Sequence, residues 1–315
     1  MDFTLPCFED DATGSIPVAV AVDPLQLHEN ILSYGHRITT EMMNQCGERS
    51  KAFMTVQTAV QGLWSQGQTS VYGSLYGPPE TQFALPHSDI DVAVGALLVS
   101  PLCTDKKLLD KLQDRLQLGE DCTDSKVVAQ RGRSVLRCVI REFEVDVTID
   151  SKGPFSGFKS GEFQRLASER HPQLRPLTLV VKQLLHRHRL NDPYNGGLTG
   201  YGVVLLTLRF LLDREPELNG ESNLGTLLHQ MLSFYGEAFS AATMGIRVKP
   251  GESYIFCEED GVCPWKYQPL YIEDPIQRGN NVGSAAWCFP QIQKLFVKAS
   301  VILRETGRTE ALWAI

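Results

Sequence analysis

No apolar stretch in the 315-residue sequence is long enough to cross a bilayer. The longest, YGVVLLTLRFLL at 201–212, already contains Arg209 and is followed by Asp213, well short of the roughly 20 apolar residues a spanning helix needs. The opening MDFTLPCFEDD is acidic and lacks the basic-then-apolar order of a signal or transit peptide, so an intracellular protein with no membrane association is expected. Positive charge is also in short supply, with 30 Lys and Arg against 37 Asp and Glu and a net charge of −7. Gripping nucleic acid by bulk electrostatics needs clustered cations, so work on nucleic acid must rely on a local groove or on a basic partner. The eight cysteines include no C-x-x-C pair, and CEEDGVC at 257–263 has neither zinc-ligand spacing nor a His-x-His nearby; reduced, mostly buried thiols are expected. Internal repeats, low-complexity segments, an RNA-recognition motif, a KH pattern and a zinc knuckle are all missing.

What is present is 43% hydrophobic and 21% charged, enough for two cores of ordinary size. Helical spacing of apolar residues in DPLQLHENILSYGHRI and ERSKAFMTVQTAVQGLWSQG predicts two opening helices. Strand-like pieces follow, TSVYG, DIDVAVG, SKVVAQRG, SVLRCVIR and FEVDVTID, with the amphipathic helix DKKLLDKLQDRLQ between the second and third. Beyond about residue 155 the periodicity turns helical through SGEFQRLASER, LRPLTLVVKQLLHRHRL, TGYGVVLLTLRFLLDR, NLGTLLHQMLSFYGEAF and AAWCFPQIQKLFVKASVILRE, interrupted by a hairpin in MGIRVKPGESYIF. The fold class is α+β: a mixed sheet followed by a mainly helical part.

Against this background two aspartates inside an apolar run stand out. Residues two apart on a strand share a face, so Asp89 and Asp91 project together while Ile90 and Val92 enter the core. In FEVDVTID the same alternation buries Phe143, Val145, Val147 and Ile149 and turns out Glu144, Asp146, Thr148 and Asp150. Three carboxylates on neighbouring strands suit a pair of Mg²⁺ ions roughly 4 Å apart that activate a hydroxyl and stabilise the leaving oxygen of an in-line nucleotidyl displacement. Gly73 and Ser74, at a strand-to-helix turn, suit a triphosphate. Taken singly, each feature has an ordinary explanation as a solvated strand face or a plain turn.

Their order, Gly-Ser, then h-D-h-D-h, then a later h-D-h strand, resembles the DNA polymerase β-like nucleotidyltransferases. With PLQLHENILSYGHRIT, LTLVVKQLLHRHRLNDPYNGGLTGY and YIEDPIQRGNNVGS in the same order, the stretch from about 24 to 304 is similar to the terminal nucleotidyltransferases, also called noncanonical poly(A) RNA polymerases or DNA polymerase sigma-like proteins. The resemblance implies a polymerase β-like catalytic domain at 36–155 and a helical poly(A)-polymerase-type central domain at 156–315, completed by the N-terminal helix at 24–35, with the active site in the cleft between them. It implies that Asp89, Asp91 and Asp146 bind two Mg²⁺ or Mn²⁺ ions, Asp146 also helping to deprotonate the RNA 3′ hydroxyl. Gly73, Ser74 and Lys182 would meet the triphosphate, Tyr201 would stack on the base, and Glu273, Asp274 and Asn280 would line the base-reading loop. For Lys182 and Tyr201 the plain alternatives are a snorkelling helix lysine and a helix-start core aromatic.

The sequence departs from the family pattern in three places: fourteen residues separate Ser74 from Asp89, Gly200 replaces a phosphate-binding serine, and Ser284 replaces an arginine after VG. Thr199, Arg187 or His186 are candidates to supply the lost contacts. Relatives that prefer uracil tend to carry histidine where Asn280 stands, so the donor expected here is ATP, with a UTP-using uridylyltransferase as the alternative and an inactive RNA-binding scaffold as a further one. The family also implies nuclear localisation. Arg165, Arg170, Arg175, Arg187 and Arg189 are candidates for a basic groove along an RNA 3′ end, each equally readable as part of a solvated helix face. With so few cations, a separate basic or zinc-knuckle RNA-binding partner is expected.

Overall fold

In the computed structural model, residues 24–64, 69–73, 83–96, 104–130, 133–150, 156–214, 223–249, 251–257, 265 and 268–314 are described. The chain opens on a single helix, α1 (Pro24–Leu63), where two were expected. Its apolar face recurs every three or four residues, but it serves two cores: Leu27, Ile31, Tyr34, Ile38 and Met42 belong to one, Ala52, Val56, Ala59 and Val60 to the other. The stretch between them contains Gly47 and few apolar residues, which reads as a break; packing at both ends carries the helix through it. Gly47 is exposed and a Cβ there would meet nothing within 4 Å. Gly47→Ala is therefore expected to stabilise the protein by about 0.5–1 kcal/mol, read as a higher midpoint in urea at unchanged m-value; an equal or lower midpoint would contradict it.

The sheet comprises β1 (Thr69–Gly73), β2 (Ile90–Ala96), β3 (Cys122–Gln130), β4 (Arg133–Ile140) and β5 (Phe143–Asp150) in the order β1-β2-β5-β4-β3. Strands β2 and β5 are parallel and the remaining neighbours antiparallel. One face carries the alternate apolar residues, Ile90, Val92 and Val94 from β2 and Val145, Val147 and Ile149 from β5, packed with the Leu108, Leu109, Leu112 and Leu116 stripe of α2 (Asp105–Gln117) and the second half of α1. The polar alternates point to the other face. Between β4 and β5 the chain turns on Arg141 and Glu142, both at positive φ (53° and 81°), the conformation a two-residue hairpin turn requires. Arg141 also reaches Glu48 of α1 at 3.0 Å and Asp121 at 2.9 Å, which ties this turn to the helix.

The second core is helical: α3 (Ser156–Arg170), α4 (Leu174–Arg187), α5 (Gly200–Arg214), α6 (Leu224–Ser233) and α7 (Phe289–Thr306). The expected hairpin forms as β6 (Met244–Gly245) and β7 (Ile255–Phe256). Phe83 and Leu85, just ahead of β2, are buried in this helical core, so the segment leading to the paired aspartates bridges both cores. Cys257 is disulfide-bonded, contrary to the expectation of reduced thiols, whereas Cys46, Cys122, Cys138 and Cys288 are free. Among the described residues no helix is long and apolar enough to cross a membrane.

Candidate active site

Strand register brings the acids together. Asp91 lies directly opposite Asp146 across the parallel β2–β5 pair, and Asp89 stands two residues earlier on the same side. Gly73 pairs with Val92, which puts the end of β1 beside the aspartates; Ser74 lies outside the described residues. On the far side of β5, Arg137 of β4 is opposite Asp146, its Nε 3.4 Å from Oδ1. The Arg137 guanidinium in turn lies 4.4 Å from the ring centroid of Tyr194, in the short 3₁₀ turn Pro193–Asn195 between α4 and α5. The polar face of the sheet thus looks onto the helical part.

The approach to β2 is held from below by Arg49. This α1 side chain is buried and donates to the carbonyls of Ser88 at 2.7 Å, Asp89 at 3.3 Å and Pro86 at 3.4 Å. It also packs under the Phe143 ring at 5.2 Å. The Lys182 ammonium, on α4, donates to the Phe83 carbonyl.

Charge is stored in this arrangement. Asp89 and Asp91 reach solvent, yet protein crowds them at the base of the polar face. Burial, together with Glu144, Asp146 and Asp91 around Asp89 and with Asp146 beside Asp91, raises each to about 6. Burial also raises Asp146, partly offset by Arg137. Burial lowers Lys182 to about 8 against the pull of Asp91. His87 stacks on His186 with centroids 3.5 Å apart and is pushed down to about 4 by burial, then by His186 and Lys182, so both rings can lie face to face uncharged at neutral pH. Among the described residues no three metal-ligating side chains already converge on one point, since Asp146 is turned to Arg137. The donor set nonetheless fits hard divalent ions: three carboxylates in register whose crowding penalises their own negative charge, a penalty a divalent cation relieves.

A second cluster forms round Asp274. Its Oδ1 accepts from the backbone of Ile276 at 2.9 Å and Gln277 at 3.2 Å and from the Tyr201 hydroxyl at 3.5 Å, while its Oδ2 accepts from the Asn280 amide at 2.8 Å. Asn281 has a different task. Its side chain caps Ile272 and Gly283 and donates to the Leu270 carbonyl, bracing the loop while Asn280 stays exposed. Glu273 is turned away to an ion pair with Arg247. The two clusters meet at Gly200, where a Cβ would lie 3.1 Å from Lys182 Nζ, one residue before Tyr201.

Two of the substitutes considered for the lost contacts are committed elsewhere. Thr199 caps α5 through its hydroxyl, and Arg187 donates to the Trp313 carbonyl. In the suggested basic groove, Arg165 is held by Glu162 and Glu169 of its own helix and Arg175 donates to Thr39. Arg49 and Arg137 escaped the sequence reading. The second was within reach, because the two-residue turn at 141–142 pairs Ile140 with Phe143 and counting back pairs 137 with 146.

Residues 223–280 match the family model described as Cid1 family poly A polymerase. The poly(A) RNA polymerase CID14 of Cryptococcus neoformans is 25% identical over 96% of this chain and 41% of its own length. The inactive non-canonical poly(A) RNA polymerase protein Trf4-2 of Drosophila melanogaster is 28% identical over 83% of this chain and 64% of its own. The chain therefore spans only part of these relatives, less than half of the first. Among solved structures, the polymerase core of TRAMP, an RNA surveillance complex, superposes with a TM-score of 0.73 over 93% of this chain and 90% of that one at 24% identity, which shows a shared α+β fold.

Proposed function

We propose that the chain is a nucleotidyltransferase of the noncanonical poly(A) polymerase type, a reading supported by the family match at 223–280 and by its relatives, and that it adds nucleotides, AMP from ATP first among them, to RNA 3′ ends without a template. The observation that carries this reading is the register of Asp91 with Asp146, Asp89 alongside, on an open strand face that also meets Lys182. Asp89, Asp91 and Asp146 are the residues to hold two Mg²⁺ or Mn²⁺ ions, which when bound supply the Lewis acid for nucleotidyl transfer. Asp146 would take up the proton of the RNA 3′ hydroxyl. Lys182 and Gly73, with Ser74 next to Gly73 in the sequence, would meet the triphosphate. Tyr201, its hydroxyl fixed by Asp274, offers a ring to the base, a contact worth roughly 1–3 kcal/mol, and Asn280 presents the exposed amide that reads the base edge, with Glu273 behind it bracing Arg247.

An inactive scaffold, as the name of the Drosophila relative warns, would not need three acids kept at a cost on one strand face. The negative chain and the family's occurrence in complexes support a separate basic or zinc-knuckle RNA-binding partner. The deciding experiment incubates the purified chain with an RNA 3′ end, Mg²⁺ or Mn²⁺ and each nucleoside triphosphate separately, at rising salt, with and without a cell extract. Extension with ATP, weak at physiological salt and strengthened by the extract, fits the proposal; no extension with any triphosphate removes it.

Asn280→His is expected to raise the ratio of UTP to ATP use about tenfold. The substitution replaces an amide offering both donor and acceptor by an imidazole with one of each in a different geometry. Competition between the two triphosphates measures the ratio; an unchanged value takes Asn280 out of base selection.

A further inference from the structure

Two exposed aromatic rings lie outward from the acids. Trp287, at the entry to α7, is 61% exposed and Tyr194 is 41% exposed. Trp287 is held flat by its setting. Its ring lies on Gly196, where a Cβ would fall 2.3 Å from ring atoms Cδ2 and Cε2, and Gly196 adopts a φ of +81°. Both the backbone conformation and the missing side chain are needed for the ring to rest there. The neighbouring Cys288 fixes the contact, its backbone N–H donating to the Gly196 carbonyl at 2.9 Å and its thiol to the Asn195 carbonyl at 3.3 Å. One ring face is therefore used for support while most of the side chain remains in water.

Tyr194 stands two residues before Gly196 under the Arg137 guanidinium, which touches Asp146. The order Asp146, Arg137, Tyr194, Gly196, Trp287 is thus a continuous path, by contact or by chain, leading away from the acids. Flat rings presented to solvent beside a cation are what a protein uses to hold single-stranded nucleic acid without reading its sequence, since every base has a face to stack.

We propose that Tyr194 and Trp287 form a stacking platform for the nucleotides immediately 5′ of the RNA end, with Arg137 beside their phosphates. The proposal rests on the RNA-tailing reading: the incoming base belongs at Tyr201 and the 3′ hydroxyl at Asp146, so the strand leaves across Tyr194 toward Trp287. It also gives a chain poor in cations a way to hold RNA by base stacking with a single cation beside it.

The test compares wild type, Trp287→Ala and Trp287→Phe. Binding of a short fluorescent oligo(A) is followed by anisotropy without nucleotide, and KM is measured for RNA and for ATP. Trp287→Ala should weaken RNA binding and raise KM for RNA about tenfold, leave KM for ATP and kcat at saturating RNA unchanged, and be largely rescued by Trp287→Phe. Equal RNA affinity in wild type and Trp287→Ala overturns the platform, as does loss in Trp287→Ala that extends equally to ATP or that phenylalanine fails to restore. If the wild type extends no RNA but its oligo(A) binding depends on the Trp287 ring, the platform stands and the tailing reading falls.

Discussion

Asp91→Asn is expected to abolish nucleotide addition and at the same time to make the metal-free protein more stable. The loss in kcat should exceed about 100-fold, because changes in groups that merely orient metal ligands already cost 10–100-fold. The gain has an electrostatic origin. Asp91 is raised to about 6 by burial and by Asp146, so the folded chain holds the proton more tightly than the unfolded chain. A carboxyl with a raised pKa contributes stability that is fully present below its unfolded value, near 4, and is lost as pH rises through about 6. In chelator, wild type should therefore lose stability between about pH 4 and pH 7, while Asp91→Asn, which cannot ionise, loses less. Since the side chain reaches solvent, the difference at pH 7 should be only about 1 kcal/mol after screening. Thermal melts across that pH range, beside extension assays, measure both halves. Retained activity, or a mutant less stable than wild type at pH 7, would contradict the assignment of Asp91 as a strained metal ligand.

Arg49→Met should destabilise the protein by about 3 kcal/mol and slow nucleotide addition, because the guanidinium holds backbone carbonyls ahead of β2. The guanidinium satisfies three backbone carbonyls at 86–89 within a buried setting. A methionine of similar length fills the space but leaves those acceptors without donors, at about 1–3 kcal/mol for each that water cannot reach. The same carbonyls fix the chain entering Asp89 and Asp91, so kcat should fall about 10–100-fold, as when the groups behind metal ligands are removed. Arg49→Lys should recover only part of both losses, because one ammonium cannot span the positions of a planar fork. Urea unfolding and steady-state kinetics test this; a cost below about 1 kcal/mol with full activity would show that the carbonyls find other partners.

Much of this site could be read from the sequence because its rules are local. The alternation in FEVDVTID assigned the side chains of residues 143–149 to their faces, and α2 begins and ends where its periodicity indicates. Asp89, Asp91 and Asp146 were legible as charges placed where an apolar strand has no use for them. The parts that escaped depend on distant backbone. Nothing in the sequence marks the carbonyls of Pro86, Ser88 and Asp89 as partners of a residue nearly forty positions earlier, so Arg49 looked like any helix arginine. The two opening helices were read apart because apolar spacing is a local signal, while the packing that joins them into α1 comes from two cores assembled later. The loop round Asp274 was partly legible. Its two asparagines look alike in the sequence, and only the hydrogen bonds distinguish the exposed Asn280 from Asn281, which braces the turn.

The helix that opens the chain has a further consequence. At about 1.5 Å per residue, α1 is a rod about 60 Å long, and each half supplies a wall of a different hydrophobic core. A loop between two bodies lets each come apart alone; a continuous ladder of hydrogen bonds does not. Unravelling either end of α1 strips side chains from one core and frays the support of the other, so the two halves share a single cooperative fate. Any opening of the space between sheet and helices must then pass through elastic bending of this rod, which sets a stiffness on how far the acids and the Asp274 loop can separate.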